Sequence, residues 1–456
     1  MRRRNLLRFF KRFKTAVILF LLIFPLRFLH AENLTLSKAL EYAEQNCYQA
    51  QIGKLEIENA KENISESLSL YYPKIDFSVG HIHLDNDPAF KFGPMVFPAG
   101  EQVFWKWDFT LNYTIWDFGR RRKIVESYKK GEEAVSLKVT SDIKLKQVEV
   151  TALYMQALTL KDQIDVVKQR KKSLEEHLKV AQNLYEQGVV TRNDVLRTEV
   201  ALRTLEDQMR ILESAKKNVE DSLKKAIGIQ IEEEIELVDP MENLKKNAQE
   251  NGNIPLPPLS FTEEELKEKV LKQNEGLRAL QNKIDSLNEV YSLAKKDYYP
   301  YVVGALGHSY EQNRYMAYPH LNKLYLGISF NVFDGGLRKS KISQARIELE
   351  KAQRDKVETE KEIIVKGLEA YREYLDTIEE YKTAKLNVNS SSENLRIVEN
   401  QYKEGLLKTT DFLEAETIYA ESRFKEIESL HKIITVQAKI AAIVGEDLKN
   451  YFSTLY

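Results

Sequence analysis

The chain alternates apolar and polar residues in two long stretches that lie 217 residues apart. A β-strand points successive side chains to opposite faces, so strict alternation predicts a strand with one apolar face. The residues between the apolar positions are Lys, Asp, Thr, Asn, Ser and Gly, except for Tyr325 in the second stretch. The predicted apolar faces consist of Trp105, Trp107, Phe109, Leu111 and Tyr113 in the first stretch and Leu324, Leu326, Ile328 and Phe330 in the second.

Two more strands are predicted near residues 73–84 and 300–310, and each forms a hairpin with its partner. Strands of about ten residues with one apolar face are typical of a tilted bilayer crossing, which would make these faces membrane-facing. An ordinary soluble sandwich is the alternative, but four strands are few for a chain of 456 residues. Four strands cannot close a barrel, so a membrane barrel would need two chains with 8 strands or three with 12.

The remaining chain predicts very long helices. No proline occurs between Pro98 and Pro240, and from Val139 to Tyr185 an alternating 4,3 spacing of mostly apolar residues marks a coiled-coil seam. A helix of 65–70 residues spans roughly 100 Å, which predicts a rod or tube. Gly188 and Gly405 end the two long helices. Further helices are predicted at Thr191–Ile227 and Thr409–Val444, with shorter ones near residues 35–71 and 262–298.

The two halves of the chain repeat each other. Trp116-Asp117-Phe118-Gly119 aligns with Phe333-Asp334-Gly335-Gly336, and Tyr185–Gly188 aligns with Tyr402–Gly405. Tyr71-Tyr72-Pro73 matches Tyr298-Tyr299-Pro300, so the first copy holds about ten extra residues near 85–102. A duplication this long predicts one supersecondary unit used twice. We expect a first repeat at 32–228, a connecting equatorial segment at 229–261, a second repeat at 262–446 and a C-terminal tail at 447–456.

The N-terminus predicts export. Residues 1–14 are basic, an apolar run follows to Leu26, and residues 1–31 read as a signal peptide, with an uncleaved anchor as the alternative. Removing the eight basic residues of 1–31 shifts the formal net charge from -1 to about -9, which argues against nucleic acid as a partner. Cys47 is the only cysteine, so no internal disulfide forms.

The duplicated order of helix, Tyr-Pro, strand hairpin, Asp-Phe-Gly or Asp-Gly-Gly, long helix, glycine tip and helix resembles the TolC outer-membrane efflux protein family. The chain departs at Asn46-Cys47 and Asn274-Glu275, where family members often have Asn-Pro. The resemblance implies a mixed α and β membrane protein, a homotrimer with a 12-stranded outer-membrane β-barrel, four strands per chain, continued by a long periplasmic α-helical barrel. It also implies a passive exit duct for efflux or type I secretion, with a periplasmic adaptor, an inner-membrane pump and outer-membrane lipid as partners.

The same resemblance implies roles for residues at the helical tips. Asp411 and Glu414 match an acidic constriction, or gate, and would form two rings of three carboxylates in a trimer; the alternative is that both are ordinary solvated helix residues. Tyr402 and Asp194 match a latch for the closed state, with Lys408 beside the position of the usual arginine. The implied adaptor contacts are Gly188, Val189, Val190, Thr191, Gly405, Leu406, Leu407 and Thr409.

Enzymatic chemistry is not expected. Asp117-Phe118-Gly119 mimics a kinase metal motif but lacks the accompanying loops. No Cys/His cluster has ligand spacing and no nucleophile–base pair is visible, so neither a cofactor nor a metal site is predicted. A structural or adhesive coiled-coil fibre is the alternative function, and a periplasmic coiled-coil adaptor is a third. The paired hairpins and strands favour the duct over both.

Overall fold

The computed structural model describes residues 32–242 and 261–455. The predicted signal peptide and most of the predicted connecting segment therefore lie outside the described residues. In the first half, β1 (Glu32–Leu34), α1 (Leu36–Asn46) and α2 (Tyr48–Ser69) precede strands β2 (Lys74–His83), β3 (Ala89–Phe92), β4 (Met95–Pro98) and β5 (Val103–Trp116). Helices α3 (Arg120–Glu186) and α4 (Arg192–Ile227) follow, and β6 (Ile235–Leu237) ends this half.

The second half repeats the order. Helices α5 (Glu263–Gln273) and α6 (Glu275–Lys296) lead into β7 (Tyr301–Glu311) and β8 (His320–Ser329). Helices α7 (Leu337–Lys403), α8 (Thr409–Val444) and α9 (Leu448–Leu455) complete the chain. Each long helix, α3 and α7, has 67 residues, as the uninterrupted periodicity predicts.

The four predicted strands form one antiparallel sheet in the order β2-β5-β7-β8. The register sets Phe77 opposite Phe109, Leu111 opposite Leu306, and Leu306 opposite Leu324. Directly opposed residues share a face, so the predicted apolar positions of β5 and β8 lie on one face of the sheet, together with Phe77 and Leu306. Phe330 lies just beyond the end of β8, so its predicted place within the strand is wrong by one residue.

A duplicated junction joins each hairpin to its long helix. Asp117 accepts hydrogen bonds from the backbone N–H of Gly119 and from the N–H and Nε of Arg121, and the Arg121 guanidinium lies 4.9 Å from the Tyr71 ring. Asp334 and Arg338 make the same bonds in the second copy, with Tyr298 4.7 Å from the guanidinium. The repeated Tyr-Tyr-Pro and Asp-x-Gly motifs are thus two parts of one structural contact.

Both short helices that lead into the sheet are broken, so the expected single helices over 35–71 and 262–298 are wrong. The break falls at Cys47 and Asn274, whose side chains cap the helices that follow: Cys47 Sγ accepts from the Ala50 N–H and Asn274 Oδ1 from the Leu277 N–H. The bend therefore persists without the Asn-Pro motif.

The break lets the shorter helices line up end to end. Gly228, which ends α4, lies against the backbone of Asn46, and Gly445, which ends α8, lies against the backbone of Gln273. Helix α2 thus continues the line of α4 along α3, and α6 continues the line of α8 between α3 and α7. Each chain therefore forms an arc of four helices at both levels, with α4 and α2 at one edge and α7 at the other.

The largest apolar core lies at the middle of this arc, where α1, α3, α5, α7, α8 and α9 meet. Strands β1 and β6 pair in parallel beside it, and the Tyr154 hydroxyl donates to a backbone carbonyl of this pair, lying 2.6 Å from both Leu34 O and Val238 O. Within the described residues, no helix combines the length and apolar character needed to cross a membrane.

Candidate gate at the helical tips

Two tight turns end the helical hairpins at the pole opposite the sheet. Gly188 and Gly405 both adopt φ 74°, a left-handed conformation that glycine reaches without steric cost. In the first tip the Val189 N–H donates to Leu184 O at 2.9 Å, and in the second the Leu406 N–H donates to Gln401 O at 2.9 Å. The two tips therefore have the same backbone, as their alignment predicts.

The helices that leave the tips are capped by the paired aspartates. Asp194 Oδ2 accepts from the Thr191 N–H at 3.0 Å and from its hydroxyl at 2.7 Å. Asp411 Oδ2 accepts from the Lys408 N–H at 3.1 Å. A carboxylate at this position satisfies a free helix N–H and interacts favourably with the helix dipole. Both aspartates therefore have a local structural role in addition to any role in a gate.

The predicted acidic pair lies together on α8. Asp411 is half-buried, whereas Glu414, one turn further along, is exposed. Residues three apart share a helix face. The equivalent positions on α4 are Asp194 and Arg197, so only the second tip places two acids on one face. The lining of a constriction by these carboxylates stays a prediction.

Tyr402 lies inside the second hairpin and is only 1% exposed. It accepts a hydrogen bond from the Thr409 hydroxyl at 3.4 Å and packs 4.3 Å from the His177 ring. Burial raises the pKa of Tyr402, the Thr409 bond opposes the rise, and the charge of Asp194 adds to it. Of the other predicted latch residues, Asp194 is half-buried and Lys408 is exposed at the tip, and the latch itself stays a prediction.

The predicted adaptor-contact residues differ in exposure. Val189 and Leu406 are 57% and 69% exposed, and the tips meet where Val189 lies against Gly405. Gly188, Thr191 and Gly405 are also exposed, and Val190 and Leu407 are half-buried. Thr409 is 1% exposed in the single chain because its hydroxyl bonds to Tyr402 inside the hairpin, and its contact with an adaptor stays a prediction.

A buried ion pair one turn from the acidic pair was missed by the sequence reasoning. Arg170 on α3 donates to Glu416 at 3.1 Å and to the Thr417 hydroxyl at 2.7 Å. Burial raises the pKa of Glu416 although the Arg170 charge acts in the opposite direction. In the sequence, the burial of Glu416 is indicated only by its position four residues after Phe412, which places both side chains on the same face of α8. This pair fixes α8 against α3 just above the tip.

The sequence profile of a known family, described as "Outer membrane efflux protein", matches residues 40–229 and 266–446, which together include both sheet hairpins and both tips. The chain belongs to the outer membrane efflux protein family. It is an outer-membrane efflux channel with a large periplasmic helical part. Channels of this family are homotrimers that work with adaptor and inner-membrane pump partners, and they are not enzymes.

Solved channels share the fold over almost the whole chain. The Campylobacter jejuni outer membrane channel CmeC is 14% identical with a TM-score of 0.75, over 92% of this chain and 88% of that one. VceC from Vibrio cholerae is 13% identical with a TM-score of 0.72, over 91% and 96%. The open state of MtrE from Neisseria gonorrhoeae is 14% identical with a TM-score of 0.72, over 91% and 89%. Among curated proteins, none matches the chain.

The family fold decides the number of chains in the barrel. Three copies of the four-stranded sheet form a barrel of 12 strands, and three helical arcs continue it as an α-helical barrel. The fibre and adaptor alternatives are excluded with the family established. The family therefore confirms the trimeric architecture that the resemblance implied, which the strand pattern alone had left open between two and three chains.

Proposed function

We propose that this chain forms the passive exit duct of a tripartite efflux pump or a type I secretion system, closed at the helical tips until its adaptor and pump open it. The observation that carries the gate is the pairing of Asp411 with Glu414 on one face of α8, directly after the second tip. The tips lie at the pole opposite the sheet, where cargo would enter from the periplasm.

Three copies of this pair would form two rings of three carboxylates each. Rings of fixed negative charge attract cations and repel anions at a narrow point. Asp411 is held in place by the Lys408 N–H, so its carboxylate has a defined position in the ring. Glu414 is exposed and would contribute the second ring. The gate would therefore conduct cations in preference to anions.

The closed state would depend on contacts that hold the two hairpins of one chain together. Tyr402 anchors the second tip from inside through Thr409 and His177, and Asp194 caps the first. Val189 bridges the two tips by its contact with Gly405. We propose that Tyr402 and Asp194 stabilise closure through these anchors, and that exposed Lys408 reaches a neighbouring chain.

The exposed apolar side chains of the tips would bind the adaptor. Val189 and Leu406 occupy equivalent positions in the two repeats and are exposed beside tip glycines. Single apolar residues held on a rigid turn are suited to fill pockets on a partner. The two tips of each chain would thus offer the adaptor two similar but unequal sites, because one is followed by Lys408 and the other by Thr191.

Single-channel recording in planar bilayers tests the gate. Asp411→Asn/Glu414→Gln removes both charges, while the new amide at the first position keeps an oxygen for the helix cap. We expect the wild-type trimer to show low, cation-selective conductance and the double variant to lose that selectivity. Glu186→Gln/Glu199→Gln removes equal charge from exposed positions of the first hairpin and should keep it. Unchanged selectivity in the Asp411/Glu414 variant would exclude these carboxylates from the constriction.

A further inference from the structure

Three side chains from distant parts of the sequence meet beside the β1–β6 pair, far from the tips. They are Asp162 on α3, Asp239 just after β6, and His431 on α8. One ligand atom of each lies within 4.8 Å of the other two. We propose that these residues form a structural binding site for a divalent transition-metal ion, with Zn²⁺ as the best-matched ion.

The imidazole of His431 is held in the orientation that metal binding requires. The Thr159 hydroxyl donates to Met155 O at 2.8 Å, so its oxygen accepts from His431 Nδ1–H, 2.9 Å away. In the neutral ring, Nε2 then carries the lone pair, and Nε2 lies 3.6 Å from Asp162 Oδ2. Metal-bound histidines are commonly fixed in this way, with the second ring nitrogen donating to an oxygen.

The electrostatics of the cluster favour a cation. The His431 side chain is 2% exposed and lies beside two carboxylates, whose like charges repel each other. A divalent ion at the centre would accept one bond from each of the three side chains and would offset the charge of both carboxylates. Asp162 is 31% exposed, which leaves a path for the ion and room for a water as fourth ligand.

The donor set selects the class of ion. One imidazole nitrogen and two carboxylate oxygens suit Zn²⁺ and related ions, whereas Ca²⁺ and Mg²⁺ prefer oxygen alone. Zinc bonds of roughly 2.0–2.2 Å in a tetrahedron bring ligand atoms to roughly 3.5 Å from one another. His431 Nε2 and Asp162 Oδ2 are already 3.6 Å apart, and the wider separations need a contraction of at most about 1.3 Å, which the partly exposed aspartates can supply by rotating.

The ion would fasten the chain after β6 to two helices at once. The Tyr154 hydroxyl and Lys161 Nζ lie within hydrogen-bonding distance of Val238 O and Leu237 O, so this part of the chain already docks on α3. A metal held by Asp239, Asp162 and His431 adds a connection to α8. The inferred site therefore has a structural role in the middle of the helical barrel and does not depend on the gate.

Zinc titration of the chelator-treated, detergent-solubilised trimer tests the inference. We expect one ion per chain by calorimetry, a higher thermal midpoint with Zn²⁺, and a visible absorption spectrum with Co²⁺. Asp162→Asn and Asp239→Asn should each weaken binding at least about 10-fold. Thr159→Val, which frees the imidazole to rotate, should weaken it about 10–100-fold.

Histidines of the sheet provide the matched control. His308 and His320 lie 3.4 Å apart at one end of the sheet and could bind zinc on their own. His308→Gln should keep the ion and the Co²⁺ spectrum if the proposed site is the one occupied. Loss in His308→Gln, or unchanged binding in Asp239→Asn, would overturn the proposal. A cluster that responds to pH but not to zinc would also overturn it, because His431 would then hold a proton between the carboxylates.

Discussion

The most unusual single residue of the tips is His177 on α3. Its ring stacks on Phe412 with centroids 3.9 Å apart, and its Nε2 is buried without a hydrogen-bond partner among the described residues. Burial lowers its pKa from 6.5 to about 4; the charge of Glu399 acts upward and that of Lys403 downward. A polar atom left unpaired between two hairpins makes this packing less stable than an apolar ring would.

The depressed pKa of His177 makes tip stability depend on pH. The folded tip keeps the ring neutral, while the unfolded chain binds a proton below about pH 6.5. Stability is therefore fully present above pH 6.5 and is lost as pH falls toward 4, by roughly 3 kcal/mol in total. His177→Phe should remove this loss and raise the thermal midpoint, measured from pH 7 to 4. The exposed His83→Gln variant should behave as wild type, and an unchanged pH profile in His177→Phe would contradict the assignment.

The Arg170–Glu416 pair makes a second residue-level prediction. Removing one partner of a buried ion pair leaves an uncompensated charge and typically costs 3–5 kcal/mol. We expect Arg170→Met to destabilise the trimer by about that amount in chemical unfolding. Adding Glu416→Gln should restore most of the loss because the buried charge is gone. If the double variant is no more stable than the single one, the two residues are not coupled.

Two glycines at helix ends test whether the end-to-end contact of α4 with α2 constrains the fold. Gly188 and Gly228 have φ of 74° and 76°, so alanine strains both backbones by roughly 1–2 kcal/mol. A Cβ at Gly188 meets nothing within 4 Å, whereas a Cβ at Gly228 strikes the backbone of Asn46. Gly228→Ala should therefore cost a further 1–3 kcal/mol or so in thermal and chemical unfolding. Equal losses would mean that the end-to-end contact of α4 and α2 does not constrain the fold.

The sequence determined the long elements because their patterns are local. The coiled-coil spacing of apolar residues from Val139 to Tyr185 predicts one continuous helix, which is α3. The alternation of apolar and polar residues from Trp105 predicts β5. The breaks at Cys47 and Asn274 escaped detection because each depends on a side-chain cap and on a glycine more than 170 residues away. The β3–β4 hairpin likewise lies within the ten-residue insertion, which has no counterpart in the second repeat.

The candidate gate was only partly predictable. Asp194, Asp411 and Tyr402 were found because the repeat and the family resemblance fixed their positions. His177 and the Arg170–Glu416 pair were not predicted, because their burial depends on which face of α3 meets α8. Coiled-coil spacing identifies the seam of one helix but does not say which polar residue of the partner it encloses.

At the scale of the whole molecule, each chain leaves two unlike edges for its neighbours. Strands β2 and β8 bound the sheet, and helices α4 and α7 bound the arc near the tips. Apolar side chains are exposed along both helical edges: Val200 and Ile211 on α4, Leu386 and Ile397 on α7. We infer that α7 of one chain packs on α4 of the next, since these side chains would otherwise face water.

A charge placed on this edge should therefore block assembly. Leu386 is 66% exposed in the single chain, and Leu386→Glu should convert the trimer to monomers in detergent, measured by native mass spectrometry. Asn387→Glu places the same charge about 100° around the helix and should leave the trimer intact. A trimeric Leu386→Glu protein would exclude α7 from the contact between chains.

The unlike edges of the sheet also have a genetic consequence. Every subunit of the ring must pair its β8 with the β2 of one neighbour and its β2 with the β8 of the other, so no subunit can be bypassed. A copy with one damaged edge would spoil any ring that incorporates it, even beside two sound copies. In a cell expressing intact and damaged alleles equally, only about one ring in eight would be free of the damaged product. Such alleles would be dominant, and two alleles damaged at opposite edges would fail to complement each other.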